Sequence, residues 1–149
     1  MTKREFAERI SDIHPESANA VDDLAALFEE DYLTSGKDLK DPAVSDELLR
    51  KAREDLHFFR SKYDALYEKL KKELRKAGAT EAQINWGLFG NIELRAFPFI
   101  RCNLMAKRLI RYSYQITLCL AELKMLSKYT GCIDPDEIRA LLQEYKRRF

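Results

Sequence analysis

Apolar residues recur every three or four positions over two long stretches of the chain, a spacing that predicts two long amphipathic helices. From Ser45, the positions Leu49, Ala52, Leu56, Phe59, Tyr63, Leu66 and Leu70 share one stripe of a helix that ends near Ala77-Gly78. At ~1.5 Å per residue this helix extends ~50 Å. From Phe99 to about Tyr129, a second stripe is formed by Cys102, Met105, Leu109, Tyr112, Ile116, Cys119, Leu123 and Leu126. Another apolar row, Ile110, Tyr114, Leu118, Ala121 and Met125, lies on the opposite side of that helix. Two apolar sides predict partners on both, which makes this the central helix of a bundle.

Shorter elements are signalled by their ends. Thr2-Lys3-Arg4-Glu5 has the form in which a hydroxyl and a carboxylate satisfy each other's exposed amides, and it predicts a first helix to about Ile13 with Phe6, Ile10 and Ile13 inward. Pro15 suits the first turn of a second helix carrying Val21, Leu24, Phe28 and Tyr32, and Gly36 stops it. Residues 36–44 then read as an exposed linker. Thr80 and Gln83 open a further helix with Ile84, Leu88 and Ile92 on one side, and Gly87 and Gly90 predict a bend in it. Gly131 ends the central helix, and Asp134-Pro135-Asp136-Glu137 starts a last one packed through Ile138, Leu141, Leu142 and Tyr145.

Only five glycines and four prolines punctuate the 149 residues, which favours long helices over the frequent turns of a β fold. With 46% hydrophobic and 34% charged residues the chain can both fill a core and solvate a surface. The expected fold is all-α: a single domain over 1–149, a bundle of four to six helices, with an acidic part at 1–44 and a basic core at 45–149. The longest run free of Asp, Glu, Lys and Arg is Ala82 to Ile92, too short for the ~18 apolar residues of a membrane span. No secretory signal pattern opens the sequence, so the expectation is a cytoplasmic protein with no membrane contact. Cys102, Cys119 and Cys132 are odd in number and lack C-x-x-C spacing; they resemble buried thiols more than a disulfide framework or a zinc site.

Charge changes the picture. Residues 1–47 hold 13 Asp and Glu against 5 Lys and Arg, whereas residues 48–149 hold 21 Lys and Arg against 12 Asp and Glu, although the whole chain is only +1. Between Glu93 and Glu122 there are five bases, Arg95, Arg101, Lys107, Arg108 and Arg111, and no acid. One account is internal: arginines on a surrounded helix find their anions on the acidic second helix. The other is a binding face, since Arg101, Arg108 and Arg111 spread over only about 80° of the helix and can track phosphates or another anionic partner. The aromatics Trp86, Phe89, Phe97 and Phe99 gather around the glycine and proline breaks, either as a plug for the bundle end or as a contact for a partner.

Signals for catalysis are weaker. Glu54 and His57 have the Glu-x-x-His spacing of di-iron bundles, but a full site needs two such pairs and two further glutamates. Arg50 and His57 have the R-x6-H spacing of helical ribonucleases of the HEPN type, a likeness of eight residues in which Lys51 stands where those proteins carry a polar residue. No activity is carried over from it. The sequence therefore predicts no cofactor, no metal and no enzyme. It predicts a helical binding protein, an adaptor or small inhibitor acting within a larger protein assembly. The alternative is a small subunit of a nucleoprotein complex that holds nucleic-acid backbone along the basic helix, and opposite charges in the two parts of the chain also permit self-association.

Overall fold

The computed structural model describes residues 1–13, 19–85 and 100–146. Trp86, Phe89, Arg95, Phe97 and Phe99 lie outside them, as do Pro15 and the stretch from Gly87 to Ile92. Among the described residues there are six α-helices and no strand.

Helix α1 (Lys3–Ser11) starts at the expected reciprocal cap: the Glu5 amide donates to Thr2 Oγ1 at 3.1 Å and the Thr2 amide to Glu5 Oε2 at 2.8 Å. Helix α2 (Ala20–Thr34) closes at Gly36, whose φ of +80° is open to glycine and strained for other residues. There the Lys37 amide reaches the Tyr32 carbonyl and the Gly36 amide the Leu33 carbonyl, which satisfies two end carbonyls. The expected exposed linker at 36–44 is shorter and less exposed than its composition suggests. Leu39 is 1% exposed in the core, and α3 (Pro42–Lys76) already begins at Pro42, with Asp41 capping the Ala43 amide at 3.0 Å. Pro at a first helical position was the overlooked signal. Gly78 ends α3 as Gly36 ends α2, with φ +97° and the Ala79 amide on the Leu74 carbonyl.

After α4 (Glu81–Asn85), opened by mutual Thr80 and Gln83 hydrogen bonds, a 3-10 turn (Ile100–Cys102) leads into α5 (Asn103–Leu126), and α6 (Pro135–Lys146) completes the order. Helices α3 and α5 pack antiparallel. The Thr130 hydroxyl after α5 donates to Asp46 near the start of α3 at 2.8 Å, and the 3-10 turn before α5 meets the end of α3. Their seam follows the sequence stripes: Leu49, Ala52, Leu56, Tyr63, Leu70 and Leu74 from α3 face Cys102, Ala106, Leu109, Ile116, Leu123 and Leu126, all buried.

Helix α2 packs on α5, α1 on α2, and α6 on α5. Arg53 and Arg60 of α3 reach Glu137 and Glu144 of α6 at 3.4 and 3.0 Å. The 15 residues of α2 make it ~22 Å long against ~36 Å for the 24 residues of α5 and ~52 Å for the 35 of α3. Its contacts fall at the end of α5: Lys124 pairs with Asp22, Lys128 just past the helix with Glu29 at 3.2 Å, and Tyr32 donates to Glu122. The central-helix expectation therefore holds for that part, where Ala121 and Met125 are fully buried, and fails earlier in the helix, where Ile110 is 53% exposed. Among the described residues, what extends past α2 is an arm formed by the end of α3 and the start of α5, with α4 against α3.

Candidate nucleic-acid interface

The arm concentrates positive charge. Residues 60–76 and 100–111 together carry eleven Lys and Arg against three Asp and Glu. On α3, Lys62, Lys69 and Lys76 recur every seven residues; the first two precede the seam residues Tyr63 and Leu70 by one residue, and Lys76 precedes the cap residue Ala77. Arg101 and Arg108, followed by Gln115, stand in the same relation to Cys102, Leu109 and Ile116 of α5. A two-fold axis perpendicular to both helices relates an antiparallel pair and keeps equivalent repeat positions on the same side. The two sets therefore line one edge of the arm as a double row, and all six side chains are exposed. From residue 62 to 76 the row extends ~21 Å, the rise of about six base pairs of duplex.

Ion pairs tie down some of the arm's bases and leave others without one among the described residues. Lys71 pairs with Glu68 at 2.8 Å and Arg75 with Glu81 at 2.7 Å, and those hydrogen bonds hold both carboxyls below their ordinary range. By contrast Lys62, Lys69, Arg101 and Arg108 make no ion pair with a described residue, and neither do Lys107 and Arg111 on the outer face of α5. Lys76 is held by Glu73 of its own helix at 3.4 Å, and Lys62 rests 5.7 Å from the centre of the exposed Phe58 ring. Among the described residues, Arg101, Arg108 and Arg111 form no ion pair with α2, whose Asp22, Glu29 and Glu30 are met by Lys124, Lys128 and Arg9. These bases are the ones within reach of α2, which lies along the far half of α5. Arg9 closes bidentate on Glu30 at 2.8 Å across an open groove of about 490 Å³ between α1 and α2.

Of the predicted face, Arg101, Lys107, Arg108 and Arg111 share the arm, and Arg95 falls outside the described residues. The four predicted contact aromatics do as well. Tyr112 is half-buried, 6.5 Å from the Phe59 ring, and Tyr114 is half-buried too, so neither ring is displayed on the cation edge. Lys62, Lys69 and Lys76 were missed from sequence, although their place one residue before Tyr63, Leu70 and Ala77 matches that of the arginines.

The remaining chemistry is quiet. Arg50 is enclosed by Glu47 and Glu54 of its own helix, with Nε to Glu47 at 3.0 Å and Nη1 to Glu54 at 2.6 Å, while His57 is exposed. Among the described residues no three His, Cys, Asp or Glu side chains converge as a metal site would require. All three thiols are free; Cys102 and Cys119 are buried and Cys132 is exposed. Burial, with Asp55 and Glu122 adding to it, pushes the Cys119 thiol up to about 12. No helix is long and apolar enough to cross a membrane among the described residues. The chain matches no family model, no curated protein and no solved structure.

Proposed function

We propose that the protein is a binding module that holds nucleic-acid backbone along the cation edge of its arm. The observation that supports this reading is the double row of exposed lysines and arginines from two helices, four of them without an acidic partner among the described residues. A polyanion bound there releases its counterions, and each neutralised phosphate adds to affinity and to its salt dependence. Seated on rigid helices, the row meets the regular repeat of a phosphate backbone with little ordering of its own. Among the described residues Phe58 is the one ring beside it, and the contacts proposed are to phosphate.

The test is fluorescence anisotropy with a short labelled duplex across a salt series, comparing the wild type with Lys62→Ala/Lys69→Ala/Arg108→Ala. For three lost phosphate contacts, the slope of log affinity against log salt is expected to flatten by about 2.7. All three residues are exposed and make no ion pair with a described residue, so folding should be unaffected, which circular dichroism checks. No binding at low salt, or a slope unchanged by the three substitutions, overturns the proposal.

A further inference from the structure

The spacing that builds the cation edge also marks where it ends. Continued by seven residues, the α3 row of Lys76, Lys69 and Lys62 reaches Asp55, and the α5 row of Arg101, Arg108 and Gln115 reaches Glu122. Both acids stand one residue before buried seam positions, Leu56 and Leu123, as Lys62, Lys69, Arg101 and Arg108 do. The antiparallel register sets the rows against each other as Lys76 with Arg101, Lys69 with Arg108, Lys62 with Gln115 and Asp55 with Glu122. Two interactions across the seam agree with it. The Thr130 hydroxyl donates to Asp46 at 2.8 Å near one end. Burial raises the Glu122 carboxyl and the Asp55 charge raises it further, so the two carboxylates stand within electrostatic reach of each other.

The sign of the edge therefore inverts between its third and fourth pairs. Beyond the inversion the rows lose their charge, since the next pair, Leu48 and Tyr129, is half-buried against the core. Helix α2 arrives at the same point: Tyr32 donates to Glu122 and partly covers that carboxylate. Asp55 is exposed and makes no ion pair with a described residue. Lys51, one turn earlier on α3, acts on Glu122 in the opposite sense to Asp55 and less strongly. Given a nucleic-acid backbone held on the edge, as proposed above, we infer that Asp55, with Glu122 behind it, is the stop of the phosphate track. It repels the next phosphate and confines the bound stretch to the ~21 Å between residues 62 and 76. A duplex longer than about six base pairs then gains no contact on this edge from its extra phosphates, and it leaves the surface before it meets α2. A cation in place of Asp55 would carry the track on to ~31 Å, the rise of about nine base pairs.

The test uses the full chain and two labelled duplex stems, of about six and about twelve base pairs, each closed by an uncharged linker so that stem phosphates are the only ones compared. Anisotropy titrations across a salt series give the slope of log affinity against log salt for wild type, Asp55→Lys, Asp55→Asn and Asp23→Lys. The last variant makes the same change of net charge at an exposed position of α2 away from the edge, and circular dichroism checks that each variant is folded. For wild type the two stems should give the same slope. Asp55→Lys should steepen it by about 0.9 on the longer stem, one added phosphate contact, and leave it unchanged on the shorter one, which the existing row already fills. Asp55→Asn, which removes the repulsion without adding a cation, should fall between wild type and Asp55→Lys. A wild-type slope already steeper on the longer stem, or an Asp55→Lys slope no different from that of Asp23→Lys, overturns the inference while leaving the phosphate track standing. Absence of wild-type binding to either stem at low salt overturns both.

Discussion

The contact that most directly ties α2 to the central helix is the Tyr32 hydroxyl on the Glu122 carboxylate, and Tyr32→Phe isolates it. Phenylalanine keeps the ring that stacks 6.3 Å from Phe28 and removes only the donor. Burial raises the Glu122 carboxyl above its ordinary range, the Tyr32 hydrogen bond pulls it back, and the Asp55 charge raises it further. Burial penalises the charged carboxylate, and the Tyr32 hydrogen bond partly offsets that cost. Hydrogen bonds to charged groups contribute ~1.5–3 kcal/mol. Both residues are half-buried, so about 1–2 kcal/mol is expected near pH 7, or a fall in Tm of about 2–8 °C for a domain of this size. The sign with pH follows from the raised carboxyl. Its protonated form is the one the fold favours, so the carboxyl's own contribution to stability is fully present below the ordinary carboxylate range. That contribution is lost as pH rises through the raised value. The Tyr32→Phe cost is then largest where Glu122 is ionised and shrinks toward pH ~4.5, where a neutral pair is worth only ~0.5–1.5 kcal/mol. Urea unfolding followed by circular dichroism at both pH values measures it, and repeating the substitution in a Glu122→Gln background should reproduce the smaller cost at neutral pH. A Tyr32→Phe variant as stable as wild type near pH 7, or one with the same deficit in both backgrounds, refutes the reasoning.

Two further outcomes test the frame that carries the arm. Gly36→Ala should destabilise by about 1–2 kcal/mol through backbone conformation alone, since an added Cβ would meet nothing within 4 Å while φ stays at +80°; an unfolding midpoint equal to or above wild type would contradict the left-handed cap. Leu70→Ala empties a fully buried position in the arm seam and should cost 2–5 kcal/mol, roughly the range for buried leucines. A loss below about 1 kcal/mol in urea unfolding would mean that α3 and α5 do not pack as described.

Much of this architecture is local, and so it was written in the chain. The stripe from Leu49 to Leu70 predicts its own burial because 3.6 residues per turn put those side chains on one face whatever they pack against. Thr2 with Glu5, and Thr80 with Gln83, predict helix starts because both partners of each cap lie within one turn. Leu39 gave no such signal. Lying between helices without a periodic neighbour, it is buried by elements distant in sequence.

Charge partners were beyond reach for a related reason. The sequence determined that acids gather at one end and bases along α5, but which of them meet depends on where α2 docks. Tertiary packing set α2 against the last turns of α5, gave Asp22 and Glu29 to Lys124 and Lys128, and left Arg101, Arg108 and Arg111 without an ion pair among the described residues. It also joined Lys62 and Lys69 to Arg101 and Arg108 across the antiparallel seam. A helix's periodicity fixes which residues share its faces; only the lengths and registers of its neighbours decide which faces stay open to a partner.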